Sequence, residues 1–183
     1  ANPQGKGFDR AYGPEKKIDL NATYEGAAEA KVKWQDARAE AKKKNGYVDL
    51  TIFEPAAHVC AYAYTTIESD SARSATLYVG SDDGVAAWLN GQKVLSRNMA
   101  RGAKHDQDQA PLELKKGVNE LLLKITQNTG PWGFFCRVDF DYAWGPAAAV
   151  EFYKKYARRF PEDPGDRAMN GEVAGAQAAL WHA

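Results

Sequence analysis

The sequence lacks most of the features that would announce membrane, nucleic-acid or metal chemistry. No apolar run approaches the roughly 20 residues that a helix needs to cross a bilayer. Neither sign of charge is in excess, since 24 Lys and Arg stand against 24 Asp and Glu. That balance points to no basic field for nucleic acid and no cationic face for a membrane surface. Histidine is scarce, and His58, His105 and His182 have no metal-binding spacing. Cys60 and Cys136 are the two cysteines, and they form no Cys-x-x-Cys. The sequence also has no Gly-x-Ser-x-Gly elbow and no phosphate-binding glycine loop. Strands do not alternate with helices, which argues against a parallel sheet, and no internal repeat is visible.

What the chain does have is aromatic side chains and short alternating runs. Its 183 residues include 5 Trp and 9 Tyr. The length suits one domain with an appendage and is enough to bury a sizeable core. The most informative stretch is Thr76 to Val94. Leu77 and Val79 alternate with Thr76 and Tyr78, as in a strand with one buried face. Ser81-Asp82-Asp83-Gly84 breaks the run. Val85, Ala87 and Leu89 resume it, with Ala86 and Trp88 on the other face. Asn90-Gly91 then closes a hairpin. These three strands are read as a meander.

The rest of the chain fits around them. Asn2 to Asn21 reads as an extended lead-in. Ala30 to Trp34 alternates. Gln35 to Asn45 is polar, a short helix or a connection. Tyr47 to Phe53 is a strand with Val48, Leu50 and Ile52 on one face, ended by Pro55. His58 to Ile67 is an aromatic strand. A long loop runs from Ser96 to Ala110. Strands follow around Leu112 and Leu114, then Leu121, Leu123 and Ile125, then Phe134, Cys136, Val138 and Phe140. Roughly eight strands at spacings of about 8–15 residues predict a mainly β fold, an antiparallel β-sandwich or jelly roll. Residues 1–145 are assigned to it. Residues 146–183 form a short C-terminal helical tail. Pro146 suits a first helical turn, and Val150, Tyr153, Tyr156 and Ala157 share a face.

Several of these residues resemble a known family. Gly80-Ser81-Asp82-Asp83-Gly84, Trp88-Leu89-Asn90-Gly91, Lys116-Gly117-Val118-Asn119 and Leu122-Leu123-Lys124-Ile125 carry the likeness, with Asp106-Gln107-Asp108 and Trp132-Gly133-Phe134. The stretch is similar to the galactose-binding-like and protective-antigen-like jelly-roll modules. Those modules are attached to secreted bacterial glycoside hydrolases, where they bind carbohydrate and do no chemistry. The resemblance implies a secreted or periplasmic accessory module. It also implies that Asp82 and Asp83 hold a calcium ion, the one candidate cofactor, as an aspartate pair does in the lectin members. Other members have the same turn without calcium. The N-terminal Ala-Asn-Pro-Gln agrees with a trimmed secretory precursor and equally with a piece of a longer chain.

Each candidate site has a plainer alternative. Asp82 and Asp83 are the metal candidates, or a turn in which a carboxylate accepts a backbone N–H. Arg97, Arg101, His105, Asp106 and Asp108 of the long loop suit a hydroxyl-rich ligand, since carboxylates and guanidinium forks accept and donate in pairs. The alternative is a loop held by its own salt bridges. Trp132, after Gly130-Pro131, is the tryptophan expected to be exposed as a sugar platform. Trp88 and Trp144 are further platforms, and all three could instead be core. Cys60 and Cys136 are free buried thiols or a disulfide. The expected function is non-catalytic carbohydrate or polysaccharide binding. Two alternatives stand beside it: an interaction subunit docking onto a larger protein or complex, and an enzyme acting on polysaccharide.

Overall fold

In the computed structural model, residues 6–26, 30–38, 46–53 and 56–140 are described. The expected helical tail and Trp144 lie outside them, as does most of the segment before Gly46. The elements are α1 (Lys6–Asp9), α2 (Gly13–Lys16), β1 (Thr23–Glu25), β2 (Lys31–Lys33), β3 (Tyr47–Asp49), β4 (Val59–Ser69), β5 (Arg73–Asp82), β6 (Val85–Leu89), β7 (Gln92–Arg97), β8 (Asp108–Leu114), β9 (Gly117–Gln127) and β10 (Gly133–Phe140). Two four-stranded sheets, ordered β3-β10-β5-β8 and β4-β9-β6-β7, form the body of the molecule. Their strand pairs are all antiparallel. The chain is therefore mainly β, an antiparallel sandwich.

The alternating residues do what their period dictates. Leu77, Val79, Leu112, Leu114, Phe134 and Val138 of the first sheet pack against Val59, Ala61, Ala63, Val85, Ala87, Leu121, Leu123 and Ile125 of the second. Asn119 anchors one end of this core. It is fully buried, accepts the Lys115 N–H at 2.9 Å and donates to the Lys115 carbonyl at 2.8 Å. The Asn90 side-chain amide also donates to it, at 2.9 Å.

The meander is corrected. Strands β5 and β6 do not pair, because β5 lies in the first sheet and β6 in the second. The turn at Asp82 to Gly84 is a crossing between sheets. It joins the second sheet through Asp83 N–H to the Thr126 carbonyl and Thr126 N–H to the Gly84 carbonyl, both at 2.9 Å. Alternation reveals which face is buried but not which strand lies alongside. The β6–β7 hairpin is as expected: Asn90 and Gly91 take φ of 50° and 81°, the positive values a type I′ turn needs.

Strand β3 is shorter than its alternation predicts. The Asp49 carboxylate accepts the Thr51 N–H at 3.0 Å, and Phe53 N–H closes on the Leu50 carbonyl at 3.1 Å. This local turn competes successfully with the ladder. Ile52, expected on the inward face, is 54% exposed.

The lead-in is a strap. Helices α1 and α2 and the β1–β2 hairpin lie on the outer face of the second sheet, where Phe8, Tyr12, Ile18, Tyr24, Val32 and Trp34 cover Cys60, Tyr62, Tyr64, Ala86, Trp88 and Leu122. Trp88 is buried by this strap and offers no platform. Lys124 lies at its centre, its side chain wholly buried. Its ammonium donates to the Phe8 and Arg10 carbonyls at 2.9 and 2.7 Å and to Glu15 Oε1 at 2.9 Å. Tyr62 Oη donates to the same carboxylate. Cys60 lies under the strap, while Cys136 packs against the inter-sheet core. Both are free thiols, each pushed up to about 12 by burial.

Candidate functional site

The expected site residues divide into separate groups. The long loop spans residues 98–107, since β7 runs to Arg97 and β8 starts at Asp108. At its base, the Arg101 backbone N–H donates to Asp83 Oδ1 at 3.0 Å. The Arg101 guanidinium donates to the Ser81 carbonyl at 3.2 Å and Ser81 Oγ at 2.8 Å. It also pairs with Asp108, which accepts Arg97 Nε at 3.1 Å. The Arg101 and Asp108 side chains are 13% and 8% exposed. They hold the loop and leave little surface for a ligand. Gln107 completes the tie, accepting Ser81 N–H at 3.0 Å and donating to the Gly102 carbonyl at 2.8 Å. The loop passes so close to β5 that a methyl group on Gly80 would collide with the Lys104 carbonyl. Glycine is needed there for approach.

His105 and Asp106 sit elsewhere, on the outer face of the first sheet. The His105 ring lies 3.8 Å from the Phe135 ring, and Phe135 lies 5.1 Å from Tyr47 (centroid distances). Asp106 takes a two-pronged pair from Arg137, both contacts at 2.9 Å. Those hydrogen bonds hold the Asp106 carboxyl below its ordinary range. Arg137 also pairs with Asp139 and stacks 3.9 Å above the Tyr78 ring. The result is a half-exposed surface of aromatic rings edged by carboxylates and a guanidinium. Sequence reading passed over Tyr47, Phe135 and Arg137. Their signal was present, because each is out of phase with the inward residues of its own strand.

Trp132 is a correction. It is fully buried in the inter-sheet core and has no exposed face to stack on a sugar. Gln127 folds the preceding loop inward by donating to the Gly130 and Pro131 carbonyls, both at 2.9 Å. Leu50 N–H fixes the Trp132 carbonyl at 2.9 Å. The alternation through Phe134 and Val138 extends back to Trp132 and carries it inward.

The aspartate pair behaves mainly as a turn. Asp83 accepts Arg101 N–H and, at 2.7 Å, Asn128 N–H. The Asp82–Asp83 peptide bond is cis. Asp82 is 8% exposed. Burial, and then the Asp83 charge, push its carboxyl up to about 6. Calcium needs six to eight oxygens. Among the described residues no third acidic, histidine or cysteine side chain joins the pair, and the Asp83 oxygens already serve backbone amides. The two carboxylates alone fall short of a calcium cage unless backbone, amide or water oxygens complete it. A chelator is therefore expected to leave the melting temperature unchanged, measured by differential scanning with and without added calcium. A calcium-dependent rise would restore the metal site through binding to the native state.

No family model matches this chain, and no curated protein matches it. Solved structures do resemble it. The PA14 domain of the MpAFP antifreeze protein is 15% identical, with a TM-score of 0.39, covering 46% of this chain and 44% of that one. A β-glucosidase from Kluyveromyces marxianus is 14% identical, TM-score 0.40, over 63% of this chain and 13% of that one. An α-L-rhamnosidase from Streptomyces avermitilis is 23% identical, TM-score 0.40, over 50% of this chain and 9% of that one. This chain thus spans less than half the length of each of these neighbours.

Proposed function

We propose that this chain is a non-catalytic carbohydrate-binding module whose binding surface is the outer face of the first sheet. The supporting observation is the half-exposed run Tyr47–Phe135–His105 beside the Arg137–Asp106 fork. Aromatic faces supply apolar contact for a pyranose ring at low entropy cost. A guanidinium and carboxylates fix its hydroxyls by donating and accepting in pairs. Rigid strands present these groups. The long loop contributes His105 and Asp106 and is positioned by Arg101, Asp108 and Gln107. The proposed contacts call for no metal, and a secreted or periplasmic location suits them.

A glycan array followed by calorimetric titration tests the reading. Tyr47→Ala and Phe135→Ala are each expected to weaken binding about fivefold, the equivalent of about 1 kcal/mol of aromatic contact. Circular dichroism should show the fold retained. Unchanged affinity in both variants would move the surface elsewhere. Release of reducing ends from polysaccharide would instead favour an enzyme.

A further inference from the structure

The register of the first sheet aligns its outward side chains in rows. One row is Asp49 on β3, Gly133 on β10 and Asp82 on β5; the next is Tyr47, Phe135 and Gly80. Gly133 has no side chain, and the Tyr47 ring leans into the space. A methyl group on Gly133 would collide with the phenol. The phenol thus lies between two carboxylates. Besides burial, the charges of Asp49 and Asp82 raise its proton affinity.

Asp82 is the anomaly in this row. It is more than nine-tenths buried, and among the described residues no hydrogen bond reaches its carboxylate. Its charge neighbour is another acid, Asp83. Burying an ionised carboxylate without a partner is costly, and among the described residues no basic side chain offsets this one. The imbalance continues across the face, where Asp106 and Asp139 share the single guanidinium of Arg137. Lys104 of the loop is a further base, and Glu113 on β8 a further acid.

We propose that the glycan taken by this face carries a protonated amine, an amino-sugar unit seated on the Tyr47 and Phe135 rings with its ammonium toward Asp82 and Asp49. An ammonium supplies donors to carboxylates and is attracted to aromatic faces. A uronate would meet like charge. This inference rests on the carbohydrate reading of the same surface.

The test titrates the chain with glucosamine oligomers and their fully N-acetylated counterparts of equal length, in near-neutral buffer at low and high salt. The amine form is expected to bind about tenfold tighter at low salt, as a partly desolvated cation contact would give. Salt should narrow the gap. Asp82→Asn and Asp49→Asn are each expected to shrink the preference to about threefold or less. Equal affinity for the two oligomers, with Tyr47→Ala and Phe135→Ala weakening both, would overturn the amine assignment and leave the carbohydrate reading standing. Absence of binding to either oligomer and to every arrayed glycan would overturn both. Equal binding of polylysine, insensitive to Phe135→Ala, would show a surface that reads charge alone and would also overturn the amine assignment.

Discussion

Replacing Lys124 with alanine is expected to lower the unfolding free energy by about 3–5 kcal/mol, the usual cost of removing one partner from a buried ion pair. The ammonium has three strap acceptors, the Phe8 and Arg10 carbonyls and Glu15 Oε1. Tyr12 and Tyr62 also present their rings to it at 5.1 and 5.7 Å. Without it, the Glu15 carboxylate, 12% exposed, is left with the Tyr62 hydroxyl as its remaining donor among the described residues. The two carbonyls lose their donor as well. The strap should loosen, and Trp88 and Tyr62 beneath it should become solvent-accessible. Urea titration measures the loss, and tryptophan fluorescence reports the exposure. A double variant, Lys124→Met with Glu15→Gln, should recover part of the stability, since it removes the stranded charge. A change below about 1 kcal/mol in the single variant would show that Lys124 does not fasten the strap, because surface pairs are worth that little.

Trp132→Ala is expected to cost about 3–5 kcal/mol, the range for emptying a large aromatic site in a packed core. The side chain is fully buried and packs in the same cluster as Leu50 and Phe134. Its loss leaves a cavity beside β3, whose three residues and short register with β10 can do little to refill it. Tyr47 sits on β3, so the outer face of the first sheet should be disturbed through its support. Thermal unfolding of the variant decides this. A fully stable variant would mean that the cavity collapses and that the site is less tightly packed than its burial implies. Trp132→Phe should retain more stability than Trp132→Ala, because more of the volume is kept.

Much of the fold was legible in the residues themselves. Period-2 alternation marks one face of each strand as apolar, and only burial against a second sheet satisfies such a face. Leu77, Val79, Leu121, Leu123 and Ile125 were assigned inward on that ground, and they are inward. Asn90-Gly91 specified its hairpin because few residue pairs accept positive φ at both positions. The same alternation, carried through Trp132, would have placed that tryptophan in the core. The Gly-Pro sequence before it drew attention to the loop instead.

Other features depended on contacts between distant segments. Alternation does not state which strand is a neighbour, so the Ser81 to Gly84 turn read as a hairpin when it is a crossing between sheets. Lys124 looks like a solvated lysine until residues 8–15, more than a hundred positions earlier in the chain, close over it. The six expected ligand residues were near in sequence or shared a loop character. Tertiary structure sent Arg97, Arg101 and Asp108 to the base of the loop, His105 and Asp106 to the open sheet face, and Trp132 to the interior. Local pattern determines which side of a strand is apolar, because that depends on a side chain and its immediate neighbours. Which charges meet, and which rings stay exposed, depends on register and long-range closure, and only the folded sandwich decides those.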